Sequence, residues 1–385
     1  MMPGTGGLVE DERAGRCREL TSFREGLYGC LRRRADALFE LADAVLTVRG
    51  RAESLVALCE EHVFRRGHGA LYDAVACGDI DTEALGRLLV AAWHPVDAGP
   101  VKIAVDVSPW ARPDAETSPE RCHCYTSCRC DGSRKTLPGW PYSVAVGLEW
   151  GASAWTAPLD AVRIGPEEDA TVVTVHQLAR VAGRLDAAGL LAGRPAPLFV
   201  FDSGYDLTRI SYLAGQESLH VQVLGRVRSD RVFYATAPRC RRDGKPGRPP
   251  RHGDRHALAD VASWSAPDER LHAANPRYGA VEVCAWHGLH QKLARHGGWA
   301  GLPADQELPV VPGTVIRIRV DRLPGNRTPE DVWLWHTAPD STAFDLDLLW
   351  KTYLRRFDVE HAFKTLKTQL AWTLPQIRTP AQGDR

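Results

Sequence analysis

The sequence predicts a mixed α/β protein: a mostly helical N-terminal part, then an α/β core interrupted by a largely β insertion. Three observations predict it. Two apolar runs, at 101–107 and 198–201, read as buried strands that end in or near a carboxylate, Asp106 and Asp202. Apolar residues at spacings of three and four run from Glu19 to about Trp93 and return at 167–191. Between about 229 and 339 the chain is rich in Pro, Gly and Arg and carries only strand-like pieces.

Taken in order, the stretch from Glu19 to about Trp93 is helical (Leu31, Ala35, Leu38, Leu41, Val45, then Val56, Cys59, Val63), with no strand-like alternation. A turn-rich segment, His94-Pro95-Val96-Asp97-Ala98-Gly99-Pro100, ends it. The strand holding Asp106 follows. After a Cys-rich loop, 142–148 and 153–159 read as a hairpin around a short Gly-containing turn. A helix over 167–191 (Val172, Val175, Leu178, Val181, Leu185) leads to the strand before Asp202, a helix through Leu213, and a strand at 221–227. The order β, ββ, α, β, α, β departs from a strictly alternating doubly wound sheet because its first three strands form a meander, and it is the order of a ribonuclease-H-like core. The insertion contributes strands at 314–320 and 332–335, and one strong helix runs from Phe344 to about Trp372. The expected division is therefore 1–98, helical; 99–228, first part of the core; 229–340, β-rich insertion with a basic loop; and 341–385, the rest of the core.

Composition narrows the classes. Hydrophobic residues at 44% and charged residues at 25% exclude collagen-like and wholly disordered chains. No apolar run approaches the roughly 18 residues that a membrane span needs, and Asp11, Glu12, Arg13, Arg16 and Arg18 stand where a signal peptide would be apolar. The expectation is a cytoplasmic, nucleoid-associated protein with no membrane partner. The ten cysteines are expected to be reduced thiols. The 48 basic and 48 acidic residues cancel, so a nucleic-acid partner must show itself locally. It does so at 226–255, where ten basic residues face three acidic ones, a net of +7. The centre of that segment, from Lys245 to Arg251, has Pro to keep it extended and Arg248 and Arg251 to enter a narrow groove. No G-x4-G-K-[ST] loop or G-x-S-x-G elbow supports an NTPase or a serine hydrolase.

Asp106 and Asp202 could share a metal site, since catalytic groups gather at the carboxyl ends of strands in open α/β sheets. A third carboxylate, Glu360, lies in the last helix. At 100° per residue Tyr353, Arg356, Glu360 and Lys367 fall inside one 60° arc, a carboxylate flanked by two cations and a phenol. Phosphodiester cleavage needs such an assembly: carboxylates to hold two Mg²⁺ or Mn²⁺ about 3.5–4 Å apart, and cations to anchor neighbouring phosphates. Taken singly, a strand-end aspartate caps a turn, and an Arg-Glu pair at i, i+4 is a solvated contact of about 0.3–0.5 kcal/mol. Cys122, Cys124, Cys128 and Cys130 supply enough thiolates for one Zn²⁺. Their C-x-C-x3-C-x-C spacing is not the paired C-x2-C of zinc knuckles, so a metal-free loop is expected, with zinc the alternative. Trp333 and Trp335 share one face of a strand, a core pattern by default.

The run Tyr353-x2-Arg356-x3-Glu360-x6-Lys367 resembles the Tyr-Arg-Glu-Lys signature of bacterial insertion-sequence transposases with a DDE triad. Asp202-Ser203-Gly204-Tyr205-Asp206 resembles that family's second-aspartate motif, and Asp106 stands where its first aspartate would. The segments 138–143, 224–231 and 247–253 are similar to an actinobacterial branch of such transposases. The resemblance implies Asp106, Asp202 and Glu360 as ligands of two Mg²⁺ or Mn²⁺, and Tyr353, Arg356 and Lys367 as contacts to phosphates. It also implies double-stranded DNA, both element ends and target, as the partner, and a homodimer in the synaptic complex. The implied reaction is hydrolysis at the element's ends followed by attack of the freed 3′-hydroxyl on target DNA. The chain ends 25 residues after Glu360, sooner than relatives do. Because residues 373–385 are turn-forming, the apolar face around Phe363, Leu366 and Leu370 is expected to lack cover. This raises a second reading, a catalytically weak DNA-binding remnant that regulates transposition, beside a third, a cellular metal-dependent nuclease of the same fold.

Overall fold

The computed structural model describes residues 5–385 apart from 53, 128–133, 152, 239–249, 326, 339 and 341–344. The N-terminal part holds α1 (Thr5–Gly29), α2 (Ala35–Thr47), α3 (Leu55–Cys59), α4 (His68–Cys77) and α5 (Thr82–Ala91). It is helical as expected, with one addition: β1 (Leu31–Arg33) and β2 (Asp79–Ile80) form a small antiparallel pair. Ser54 and Asp81 cap α3 and α5 by accepting from Ala57 N and Ala84 N.

The core begins with β3 (Lys102–Ala111) and continues through β4 (Cys122–Ser127), β5 (Arg134–Leu148), β6 (Thr156–Arg163), α6 (Ala170–Ala187), β7 (Leu198–Phe201), α7 (Leu207–Gln216) and β8 (Gln222–Val227). Strands β6, β5, β3, β7 and β8 lie side by side in that order. The β3–β5 and β5–β6 pairs are antiparallel, and β3–β7 and β7–β8 are parallel. This is the meander followed by parallel strands that the order β, ββ, α, β, α, β predicts, and the core is ribonuclease-H-like.

The Cys-rich segment is not wholly a loop. Residues 122–127 pair with Arg134–Gly139, because β5 is long enough to carry a second partner beyond β6. The insertion supplies β9 (Val232–Thr236), β10 (His252–Ala257), β11 (Glu269–Asn275), β12 (Gly279–Gln291), β13 (Gly313–Val320) and β14 (Val332–His336). These strands are not a separate sheet: β14 pairs with β8, so core and insertion share one sheet of twelve strands among the described residues.

The two faces of that sheet bury different partners. Ile103, Val105, Phe199, Phe201 and Val223 face α6 and α7, with Leu178, Val181, Leu185, Leu207 and Ile210 opposite them. The alternate residues Ala104, Leu198, Val200 and Leu224 face the C-terminal helices. Trp333 and Trp335 are both buried on the first face, so packing explains them.

The long C-terminal helix is in fact two, α8 (Leu346–Arg355) and α9 (Asp358–Thr368). The chain tightens between them: Phe357 N bonds to Leu354 O, Val359 N to Arg356 O and Glu360 N to Phe357 O, each three residues back. The expected 60° arc assumes 3.6 residues per turn throughout, so it does not survive this junction. After α9 the chain packs back on the protein and ends in α10 (Pro380–Gly383). The expectation of an uncovered α9 is overturned for Phe363 and Leu366, while Leu370 is half-buried. Phe363 and Ile377 are buried with Trp110, Trp140 and Tyr142, and Leu366 and Trp372 pack against them. Polar contacts pin the same segment: Tyr142 Oη donates to Asp384 at 2.9 Å, Arg163 pairs with that carboxylate, and Arg112 donates to the Ile377 carbonyl.

One glycine next to the site needs its missing side chain. A Cβ on Gly225 would stand 2.6 Å from Leu207 Cδ2 and 3.2 Å from Phe201 Cβ, in a layer with no spare volume. Gly225→Ala is expected to cost about 1–3 kcal/mol in urea unfolding. Combined with Leu207→Ala it should cost less than the sum of the two.

Candidate active site

The parallel registers align a row of polar side chains. Ala104, Val200 and Leu224 are cross-strand partners on β3, β7 and β8, as are Phe201 and Gly225 one residue on. One step further along the three strands stand Asp106, Asp202 and Arg226. By the two-residue alternation they share the face of Ala104, Val200 and Leu224, beneath α8 and α9. Asp202 follows β7 directly, as the sequence predicts. Asp106 differs: β3 continues to Ala111 against β5, and only its pairing with β7 stops at Ala104. Asp106 therefore lies within its strand, at the point where its parallel neighbour ends.

The junction between α8 and α9 sets a cation over this row. Arg356 has one guanidinium nitrogen 3.4 Å from Asp106 Oδ2 and the other 3.8 Å from Asp202 Oδ1. Its side chain is 10% exposed, and the ring of Tyr353 lies 5.9 Å from the guanidinium. Tyr353 is itself buried. Burial pushes its phenol up, and the charges of Arg356 and Arg226 oppose this. Asp106 accepts a 2.8 Å hydrogen bond from the Val107 amide. Burial nonetheless pushes its carboxyl up to about 6; Arg356 and the Val107 amide pull the other way, and the charges of Glu360 and Asp202 add to the rise. Glu360 is exposed, in the first turn of α9, close enough for its charge to act on Asp106, but its carboxylate makes no hydrogen bond or ion pair among the described residues.

The structure thus brings Asp106, Asp202, Tyr353 and Arg356 together, with Glu360 at the margin. Lys367 stands apart, seven residues or roughly 10 Å along α9 from Glu360, beside the ring of Phe363 and within electrostatic reach of the Cys124 thiol. Arg248 lies outside the described residues. Arg251, at the entry to β10, pairs with Glu307 at 3.5 Å. Of the four clustered cysteines, Cys122 and Cys124 lie on β4, and burial pushes the Cys124 thiol up to about 11, against the thiolate that zinc requires. Cys128 and Cys130 lie outside the described residues. Two residues of the site were not among the candidates drawn from sequence. Arg226 was visible as the residue that follows the apolar run of β8, just as Asp202 follows that of β7. Tyr205 gave no such signal: burial raises its phenol, and the neighbouring charge of Asp106 raises it further.

Among the described residues no three His, Cys, Asp or Glu side chains form a ready cage for one ion. The donor set nevertheless suits a hard divalent cation: Asp106, Asp202 and Glu360 offer carboxylate oxygens only, and burial makes the charge on Asp106 costly unless a cation answers it. The pKa of Asp106 makes this testable without activity. A carboxyl raised from 3.8 to about 6 favours the fold while protonated. That contribution is full below about pH 4 and is lost as the pH rises through about 6. In cation-free buffer, the stability of Asp106→Asn relative to the natural chain is expected to grow by about 2–3 kcal/mol between about pH 4 and about pH 7.5. Urea unfolding at each pH measures it, and a pH-independent difference would show that burial does not strain this carboxylate.

The fold and the acidic row define a ribonuclease-H-like α/β protein with a carboxylate site at the end of its parallel strands. Residues 26–292, more than half of the chain, match the family described as DDE superfamily endonuclease, and the chain belongs to that family. The match takes in Asp106 and Asp202 and ends before Glu360. No curated relative matches the sequence. Among solved structures, one described as the cryo-EM structure of a piggyBac transposase synaptic complex with hairpin DNA is similar over 87% of this chain and 59% of that one, at 9% identity and a TM-score of 0.40. The present chain therefore spans less than two thirds of that protein, and so low a likeness has no bearing on the site.

Proposed function

We propose that this DDE endonuclease is a transposase that cleaves DNA at the ends of an insertion sequence and transfers the freed strand to target DNA. The observation that carries the reading is the alignment of Asp106 with Asp202 across two parallel strands, on the face that α8 and α9 cover with Arg356 and Glu360.

In this reading Asp106, Asp202 and Glu360 hold Mg²⁺ or Mn²⁺. A divalent ion bound there supplies activation of the attacking hydroxyl and charge stabilisation at the leaving oxygen. Arg356 neutralises Asp106 and Asp202 in the free protein, and its guanidinium is the nearest cation to a phosphate entering the row. Arg226, near enough to Tyr353 for its charge to act on that phenol, is a second cation on the same face. Lys367 is placed to contact a phosphate further along the DNA. Burial of Asp106 within the strand fixes its carboxylate, while the exposure of Glu360 leaves the third ligand able to adjust.

The test is a plasmid carrying the DNA that flanks this reading frame. Incubation with the protein and Mg²⁺ should release 3′-hydroxyl ends at matched inverted repeats and join them to a second plasmid. Cleavage without joining, at sites unrelated to repeats, would favour the cellular nuclease. Binding of the repeats without cleavage would favour the regulatory remnant, for which exposure of Phe363 supplies no reason, since that side chain is buried.

A further inference from the structure

The positive charge concentrated at 226–255 is divided by the fold, and part of it is brought beside the acidic row. Arg226, Arg228 and Arg231, at and just beyond the end of β8, line a cavity of about 380 Å³ with Lys292 and His296 from the stretch that follows β12. The opposite wall is the turn from Ser203 to Leu207, which leaves β7 immediately after Asp202. The only carboxylate in the lining is Asp206. It is already engaged, accepting from the Arg209 amide at the start of α7. Arg228 pairs with Asp230 in an exposed contact, whereas Arg231 and Lys292 make no ion pair among the described residues. Such an excess of unneutralised cations in one concavity costs self-repulsion unless an anion answers it.

We infer that this cavity binds the phosphodiester backbone of one unpaired DNA strand beside the carboxylate row, a site that rests on the DNA-processing reading above. The charge selects a polyanion, since three arginines and a lysine can each take a phosphate oxygen. Shape favours a single strand: an unpaired strand can sink a nucleotide into a cavity of about 380 Å³ while its neighbours follow the rim, whereas a base-paired duplex can only lie across the mouth. Continuity selects the strand at the cut. Arg226 belongs both to the cavity and to the row with Asp106 and Asp202, so a chain lying in the cavity passes directly to the carboxylates.

The triple variant Arg228→Gln, Arg231→Gln, Lys292→Gln tests this, because all three side chains are exposed and none stands in the acidic row. Affinity is measured across a salt series for two probes, a blunt duplex and the same duplex with a single-stranded extension, after thermal melting has shown the variant folded. The natural chain should prefer the extended probe. The variant should lose that preference, with a log–log salt slope on the extended probe shallower by about 2, at about 0.7 for each single-strand phosphate left without its cation. Unchanged affinity and slope on the extended probe would overturn the inference and leave the DNA-processing reading standing. Equal losses on both probes would mean that the cations serve duplex DNA and would overturn the assignment to a single strand. A natural chain that binds neither probe would overturn both.

Discussion

Glu360→Gln is expected to reduce Mg²⁺-dependent DNA cleavage by about a thousandfold or more under the proposed role of Glu360 as a metal ligand, because such a ligand supports several kcal/mol of transition-state stabilisation and each 1.4 kcal/mol is tenfold in rate. DNA affinity should change little. Glu360 is exposed and its carboxylate makes no hydrogen bond or ion pair among the described residues, so the amide removes a charge without unmaking a side-chain contact. The fold should be equally stable or slightly more so, since the carboxylate raises the pKa of Asp106 by repulsion. The measurement is a cleavage assay paired with a binding isotherm. Retained cleavage would remove Glu360 from the metal site and leave Asp106 and Asp202 in search of another partner. A loss of binding parallel to the loss of cleavage would point to a phosphate-side role instead.

The second large effect concerns the end of the chain. Ending the protein at Leu374 should destabilise it by about 5 kcal/mol or more: about 1.5–3 kcal/mol from re-exposure of a buried Ile, about 1.5–3 kcal/mol for each of the two partly buried charged hydrogen bonds, and under about 1 kcal/mol for the exposed ion pair. The interactions at stake are Ile377 against the aromatic cluster of Trp110 and Tyr142, the Tyr142–Asp384 and Arg163–Asp384 pairs, and the bond from Arg385 to the Gly78 carbonyl. Cleavage should fall with stability, because Phe363 and Val359 of α9 share that cluster and α9 carries Glu360. The check is denaturant unfolding of both chains, with protease susceptibility around α9 as a local readout. An unchanged midpoint would mean that the tail merely lies on the surface.

The sequence by itself determined whatever depends on neighbours along the chain. Apolar periodicity placed β3, β7, β8, α6 and α7 close to their true positions, and the strand order followed from their succession. The apolar run before Asp202 put that carboxylate at a strand end, where the structure has it. Tertiary structure decided what depends on pairing between distant segments. Asp106 lies inside its strand because β5, 15 residues long, extends β3 beyond the point where β7 stops. The same length turned half of the Cys-rich segment into β4. Register, which no local pattern encodes, set Arg226 in line with the two aspartates. The helix bearing Arg356 and Glu360 looks continuous in sequence, since both halves have helical spacing. Its break at Arg356–Phe357 places Arg356 over both aspartates and leaves Glu360 exposed at the start of the next helix. The cover over Phe363 was likewise invisible: thirteen turn-forming residues pack by what they meet, here the aromatic wall of Trp110, Trp140 and Tyr142. Periodicity records which side of an element is apolar, and only the assembled sheet decides what that side faces.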